Sequence, residues 1–209
     1  MSRSAEEVEE RLGLYLQEID DARNLDEEEA GQAKILELGR KERDQFVLAV
    51  RRIPAEEIES LHDIYEALSF DAEAWADFYI SEVDRLLDLA RAEAEPARLL
   101  APLNEYYLLT FDEDLVELQG ALLQKFYENC DDENTAIRRK CVVLLGDFAG
   151  RKDFKPLNKL ERLARSDSDW RVRYLAWEAL DDIYPKQAQR VKLPFWIRLK
   201  ARLSSLDLE

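Results

Sequence analysis

The single histidine and the two cysteines are the residues with which this chain could build a nucleophile or a general base. A Ser-His-Asp triad or a Cys-His pair would have to use His62. His62 lies between Leu61 and Asp63 in an amphipathic helical pattern, which favours a surface or boundary position. Cys130 and Cys141 fall on apolar faces, where free cysteine usually packs as a small hydrophobic residue. A Cys/His zinc site takes four ligands and the chain offers three, so we predict no metal site.

Carboxylates are so abundant here, with 46 Asp and Glu, that some pair by chance. Asp77, Asp84 and Asp88 are spaced by seven and four residues and share one face of a predicted helix. Di-iron bundles place such acids beside two Glu-x-x-His motifs, which this sequence lacks. Gly-x-Gly-x-x-Gly, Walker and Gly-x-Ser-x-Gly motifs are also missing from the sequence. We therefore predict a solvated acidic face, no cofactor and no enzymatic activity.

The net charge of −16 is concentrated in the middle of the chain. Residues 54–114 hold 17 acids and 3 bases, whereas residues 186–209 hold 6 bases and 2 acids. The acidic middle predicts a protein partner with a basic surface, because opposite charge speeds association. A weaker hypothesis, motivated by charge alone, is that the chain neutralises a basic toxin or nuclease. The overall acidity disfavours nucleic acid as a partner, since phosphate would be repelled.

The sequence predicts a cytoplasmic protein. No apolar run reaches the roughly 20 residues that cross a bilayer. The N-terminus turns acidic at Glu6 and Glu7 and shows no apolar signal-peptide region. Two cysteines without a disulfide framework fit a reducing compartment.

Composition and periodicity together predict an all-α fold. The chain has only 6 Gly and 6 Pro, few for a turn-rich β protein, and is dominated by helix-forming residues. Val8, Leu12 and Ile19 follow the helical period, and Ser4 with Glu7 forms a predicted capping box before them. Similar stripes recur along the chain and predict about 9–10 helices. Residues 103–110 fit either a helix or a strand-like connection.

A repeat of 35 residues stands out in the C-terminal half. Asp132, Arg138 and Cys141 recur as Asp167, Arg173 and Ala176, and both copies continue with Leu, Asp and a large apolar residue at equal offsets. The preceding helical stripes also correspond, with a slip of one residue. Such a period with two helices per unit is typical of an α-solenoid.

At these residues the sequence resembles HEAT repeats. The resemblance covers residues 112–185 and implies two repeats within a right-handed α-solenoid of antiparallel helix pairs. It also implies that Asp132, Arg138, Asp167 and Arg173 bond between neighbouring repeats. Residues 1–111 are then expected to be a helical region continuous with the solenoid, and residues 186–209 a basic amphipathic capping helix.

Basic residues cluster at the start of the second helix of each repeat, and they are candidates for partner binding. They are Arg139, Lys140 and Arg171, with Trp170 beside them. One interpretation is a groove for an acidic peptide or a phosphate backbone, as in HEAT-like DNA-repair glycosylases. We favour the other interpretation, in which these bases form salt bridges between repeats and to the acidic middle, because exposed charge is the default for a helix.

The C-terminal segment 190–203 combines basic and aromatic residues. Phe195, Leu199 and Leu203 form one apolar stripe, with Trp196 beside it, and Arg198 and Arg202 form a basic stripe. Such a helix could lie on an anionic membrane surface, which would make the protein a peripheral membrane adaptor. It could equally cap the stack with its bases facing the acidic body, and we favour the cap because solenoids need one.

Overall fold

The structure, a computed structural model, describes residues 4–54, 57–93, 96–110, 114–149 and 156–204. Across these ranges the chain is helical and contains no β-strand. The predicted all-α class is therefore confirmed. The helices are α1 (Ala5–Asp20), α2 (Leu25–Lys41), α3 (Arg43–Val50), α4 (Ile58–Ser69), α5 (Ala76–Ala92), α6 (Pro96–Leu99), a 3-10 helix (Ala101–Thr110), α7 (Val116–Asn129), α8 (Thr135–Ala149), α9 (Leu157–Ser166), α10 (Trp170–Ile183), α11 (Pro185–Ala188) and α12 (Phe195–Leu203).

The predicted number of helices was too low. The described ranges hold twelve α-helices and one 3-10 helix. α6 and α11 have only four residues each, which is too short to show a helical period in the sequence. None of the described helices is long and apolar enough to cross a membrane.

The first two helices begin at side-chain caps. Ser4 Oγ accepts a hydrogen bond of 3.3 Å from the Glu7 backbone, and Glu7 Oε2 accepts one of 3.1 Å from the Ser4 backbone, which confirms the predicted capping box. Asn24 Oδ1 accepts a bond of 3.1 Å from the Glu27 backbone at the start of α2. Such a cap is worth about 1 kcal/mol, because it satisfies a backbone N–H that has no partner within the helix.

The segment that fitted either helix or strand is a 3-10 helix. Leu103, Tyr106 and Leu109 are all almost fully buried, and they lie three residues apart. A 3-10 helix has three residues per turn, so this spacing places all three side chains on one face. The α-helical period of 3.6 does not describe the segment, which explains the ambiguous sequence pattern.

The described helices pack as a row of neighbours with further helices beside it. α4 contacts α2 and the 3-10 helix, the 3-10 helix contacts α8, and α10 contacts both α8 and α12. Beside this row, α1 packs on α2, α7 on α8 and α9 on α10. Surfaces on α4, the 3-10 helix, α8, α10 and α12 are therefore adjacent in that order.

One hydrophobic core joins the N-terminal and C-terminal halves. Its buried residues run from Val8 in α1 to Val191 beyond α11. The predicted boundary between residues 111 and 112 falls outside the described residues, as does the end of the predicted capping segment.

A close approach between α2 and an aromatic cluster fixes part of this core. Trp75 is fully buried and packs against Phe46 and Phe78, with ring centroids 5.5 and 5.9 Å apart. A Cβ on Gly39 would lie 2.8 Å from the indole ring of Trp75. Glycine is therefore needed at position 39, because the indole ring leaves no room for a side chain there.

Candidate functional site

Both cysteines lie in the core. Cys130 ends α7, Cys141 lies in α8, and neither side chain is exposed. Burial raises the pKa of Cys130 to about 12 and the pKa of Cys141 well above its usual value. A thiolate is disfavoured at both positions, so neither has the environment of a nucleophile or a metal ligand.

His62 is held in a network that joins α4 to the 3-10 helix. Its Nδ1 bonds to the carboxylate of Glu105, and its Nε2 lies 3.7 Å from Glu66 Oε2. Burial alone would lower the pKa of His62, but the hydrogen bond to Glu105 and the nearby carboxylates outweigh it and raise the pKa. Sequence reasoning missed Glu105, because it lies 43 residues from His62 and no local pattern links them.

The same network has the geometry of a partial cation site. His62, Asp63 and Glu66 can each offer a ligand atom, and these atoms lie within 4.8 Å of one another. Glu105 on Nδ1 would orient the imidazole with Nε2 towards a cation, as a second carboxylate often does in metal sites. These three residues are the only such group in the described part of the chain. Sequence reasoning missed them because it counted only Cys and His for a zinc site and weighed carboxylate ligands only at Asp77, Asp84 and Asp88.

Carboxylates gather around His62, and we call this group the acidic surface. It consists of Asp20, Glu28, Asp63, Glu66 and Glu105. Burial and the charges of Glu66, Glu28 and Asp20 raise the pKa of Asp63 to about 6, although His62 opposes the shift. Burial is the larger cause of this shift, and the neighbouring carboxylates add to it, so the local potential is negative. The acidic surface is therefore a place where a positive group would be stabilised.

Two of the three acids predicted to share one face of α5 have a cation beside them. Asp84 accepts hydrogen bonds of 2.7 Å from Lys125 on α7, and Asp88 pairs with Arg91 on its own helix. Asp77, Asp84 and Asp88 are all exposed. The arrangement is that of a solvated helix face with cations placed among the carboxylates.

The predicted residues of the repeat pattern form different contacts from one another. Arg138 donates two hydrogen bonds of 3.0 Å to Asp167 in the next turn. Asp132 instead accepts one of 2.8 Å from Arg91, and Arg173 donates one of 3.3 Å to the Ala164 carbonyl. Sequence reasoning missed Arg91, which ends α5 and lies outside the recurring pattern.

Four of the predicted partner-binding residues lie close together, and Lys200 joins them. We call the group Arg139, Trp170, Arg171, Trp196 and Lys200 the basic-aromatic cluster. Arg171 and Lys200 lie over the Trp170 ring at 5.2 and 5.6 Å from its centroid, and Lys200 lies 5.4 Å from that of Trp196. Burial and the charge of Arg171 lower the pKa of Arg139. Lys200 was missed, although it shares a helix face with Trp196 four residues earlier.

The remaining predicted bases lie apart from that cluster. Lys140 donates to Asn104 on the 3-10 helix, next to Glu105 of the acidic surface. The Arg198 side chain donates a weak bond of 3.4 Å to the Leu193 carbonyl, and Arg202 is exposed on α12. The acidic surface and the basic-aromatic cluster thus lie at two ends of one row of helices, with Lys140 between them.

A buried ionic cluster escaped sequence reasoning altogether. Glu82 has no exposed surface, and its carboxylate binds the Arg85 guanidinium, with Arg51 3.6 Å away. Burial and the charge of Glu82 raise the pKa of Tyr65, whose hydroxyl lies 3.5 Å from that carboxylate. The sequence offered no signal, because Glu82 looks like any other acid in an acidic helix. Glu82 itself is enclosed, whereas the Arg85 and Arg51 side chains are 23% and 36% exposed. The cluster ties α5 to α4, which is a structural role.

The chain is an all-α protein with a surface divided by charge. No protein-family model matches it, and neither does a curated protein or a solved structure. Its function is therefore argued from its surfaces.

Proposed function

We propose that this chain is a non-enzymatic helical-repeat scaffold that binds a protein with a basic surface, and that the acidic surface around His62 is its main docking site. The HEAT-like pattern and the packing of α7 on α8, of α9 on α10 and of α8 on α10 support a stack of helix pairs. In such a stack each helix is held by its neighbours, so the surface is ordered before binding. A partner then binds without a large cost in conformational entropy.

The observation that carries the proposal is geometric: Asp20, Glu28 and Glu66, from three different helices, gather around Asp63. The Asp63 pKa of about 6 reflects burial together with the carboxylates that surround it. A Lys or Arg of a partner placed beside Asp63 would favour the charged form of its carboxyl and gain energy from doing so. Because Asp20, Glu28, Glu66 and Glu105 come from four different elements, only the folded protein presents this concentration of charge.

The experiment is affinity purification from the native host. It compares the wild type with two variants that have the same net charge as each other. The first neutralises the acidic surface with Asp20→Asn, Glu28→Gln and Glu66→Gln. The matched control neutralises three exposed acids elsewhere with Glu117→Gln, Asp181→Asn and Asp182→Asn. We expect a basic protein to co-purify with the wild type and the control, and to be lost from the first variant.

Kinetics with the purified partner complete the test. Electrostatic steering should make the association rate fall by about tenfold or more as salt rises from low to physiological concentration. An association rate indifferent to salt, or equal binding by the two variants, would contradict the proposal.

A further inference from the structure

We propose that α12 is a docking helix for anionic lipid headgroups, and that it inserts the side chains of Phe195, Leu199 and Leu203 into the membrane interface. This surface is separate from the acidic surface and does not depend on the protein partner proposed above.

The apolar stripe predicted for α12 faces outward instead of packing on the body. Phe195 is 74% exposed, Leu199 44% and Leu203 77%. Each lies four residues from the next, so the three follow one face of the helix. Three large apolar side chains exposed in line form a patch that water solvates poorly, which is typical of an interaction surface.

A different face anchors α12 to the protein. Ile197 and Ala201 are buried, and α12 packs on α10. The helix is therefore fixed in position, and its exposed stripe is presented without a folding step. α12 therefore packs on the body through Ile197 and Ala201 and leaves its aromatic and leucine stripe exposed.

Cations accompany the stripe on α12 and in the segment before it. Lys186, Arg190, Lys192, Arg198, Lys200 and Arg202 all lie in residues 185–204, which contain no acid. The cap interpretation expected these bases to face the acidic body, but within the described ranges none of the six forms an ion pair. Their charge remains available to an external anion.

The combination of features favours lipid over a protein groove. An interfacial helix needs an apolar face, flanking Lys and Arg, and an aromatic residue at the boundary, and α12 has all three in Leu199, Arg202 and Trp196. The acidic surface does not prevent binding, because exposed charges are screened beyond about 8 Å at physiological salt. The acidic surface lies on α1, α2, α4 and the 3-10 helix, and α8 and α10 separate these elements from α12 along the row.

The test is co-flotation of the full chain with vesicles of phosphatidylcholine alone, or with about one quarter phosphatidylserine. We expect binding only to vesicles with phosphatidylserine, accompanied by a blue shift of Trp196 fluorescence that the Trp196→Phe variant lacks. The triple variant Phe195→Ser, Leu199→Ser and Leu203→Ser should lower the partition coefficient by about tenfold or more. Arg198→Gln with Arg202→Gln should lower it by about 25-fold, since each cation contributes about fivefold.

The control removes exposed apolar side chains elsewhere, in the variant Leu25→Ser with Phe70→Ser. Leu25 on α2 is 72% exposed, and Phe70, which follows α4, is 66% exposed. Retained binding by this control supports the proposal, and circular dichroism confirms that each variant is folded. The proposal would be overturned if the triple variant floated as well as the wild type. It would also fail if the wild type bound to phosphatidylcholine alone or did not float with either kind of vesicle. The proposal would also be overturned if the wild type formed an oligomer without vesicles and the triple variant did not, because the stripe would then bind a second copy of the chain.

Discussion

Arg138 reaches from α8 to Asp167, the residue that ends α9, and forms two parallel hydrogen bonds of 3.0 Å with its carboxylate. The same guanidinium donates bonds of 2.9 and 3.0 Å to the carbonyls of Asp132 and Glu133. Both side chains of the pair are nearly buried, at 10% and 6% exposure. One arginine therefore fixes its own turn and the following turn relative to each other, and only a planar guanidinium offers donors in that geometry.

Loss of this pair should destabilise the fold strongly. Arg138→Ala leaves the Asp167 carboxylate buried without its partner and is expected to cost about 3–5 kcal/mol in the free energy of unfolding. Arg138→Lys keeps the charge but loses the paired bonds, and we expect about half that cost. Urea titration measures both. Lys125→Ala, which breaks the more exposed pair with Asp84, is the control and should cost about 1 kcal/mol or less.

The cysteines should be inert while the protein is folded. Because burial raises the pKa of Cys130 to about 12 and that of Cys141 well above its usual value, almost no thiolate exists at neutral pH. A thiol reagent should label neither residue in native buffer and both in denaturant. Rapid labelling of the native Cys130→Ser variant would show that Cys141 is accessible, contrary to its burial.

The buried ionic cluster predicts that a second substitution restores the stability lost by a first. Glu82→Leu leaves the Arg85 guanidinium without its carboxylate and should cost about 3–5 kcal/mol. Adding Arg85→Met should restore most of that stability, because two apolar side chains then replace the ion pair. Thermal and urea unfolding of the single and double variants measure the coupling. If the double variant is no more stable than Glu82→Leu, packing around Glu82 matters more than its charge.

Local features of this fold could be predicted from the sequence, and long-range ones could not. The capping box at Ser4 was predictable because both of its bonds join residues three apart. The contact of His62 with Glu105 was not, since it depends on how α4 packs against the 3-10 helix. Periodicity located two stripes on α12, but it could not say that Ile197 would be buried and Leu199 exposed.

The network around His62 predicts a fold that weakens as pH rises. The pKa of Asp63 is about 6 in the folded protein against an ordinary 3.8, so the folded state holds this proton more tightly than the unfolded state. Stability from that proton is complete below about pH 4 and is lost as pH rises towards 6. His62 acts in the same direction at higher pH, because its folded pKa lies above the ordinary 6.5. Its hydrogen bond to Glu105 and its ion pair with Glu66 stabilise the fold fully below pH 6.5, and this stability is lost as pH rises through the folded pKa.

Two substitutions separate these contributions. Asp63→Asn should raise the free energy of unfolding at about pH 7–8 by about 1 kcal/mol, a figure reduced for the partial exposure of the carboxyl. It should also flatten the decline between about pH 4 and 6. His62→Gln should flatten the decline above pH 6.5, the ordinary pKa of histidine. Urea titration across this range provides the measurement, with Asp77→Asn on exposed α5 as a control that leaves the profile unchanged. If wild-type stability rises over the same range, His62 and Asp63 do not hold their protons more tightly in the folded state.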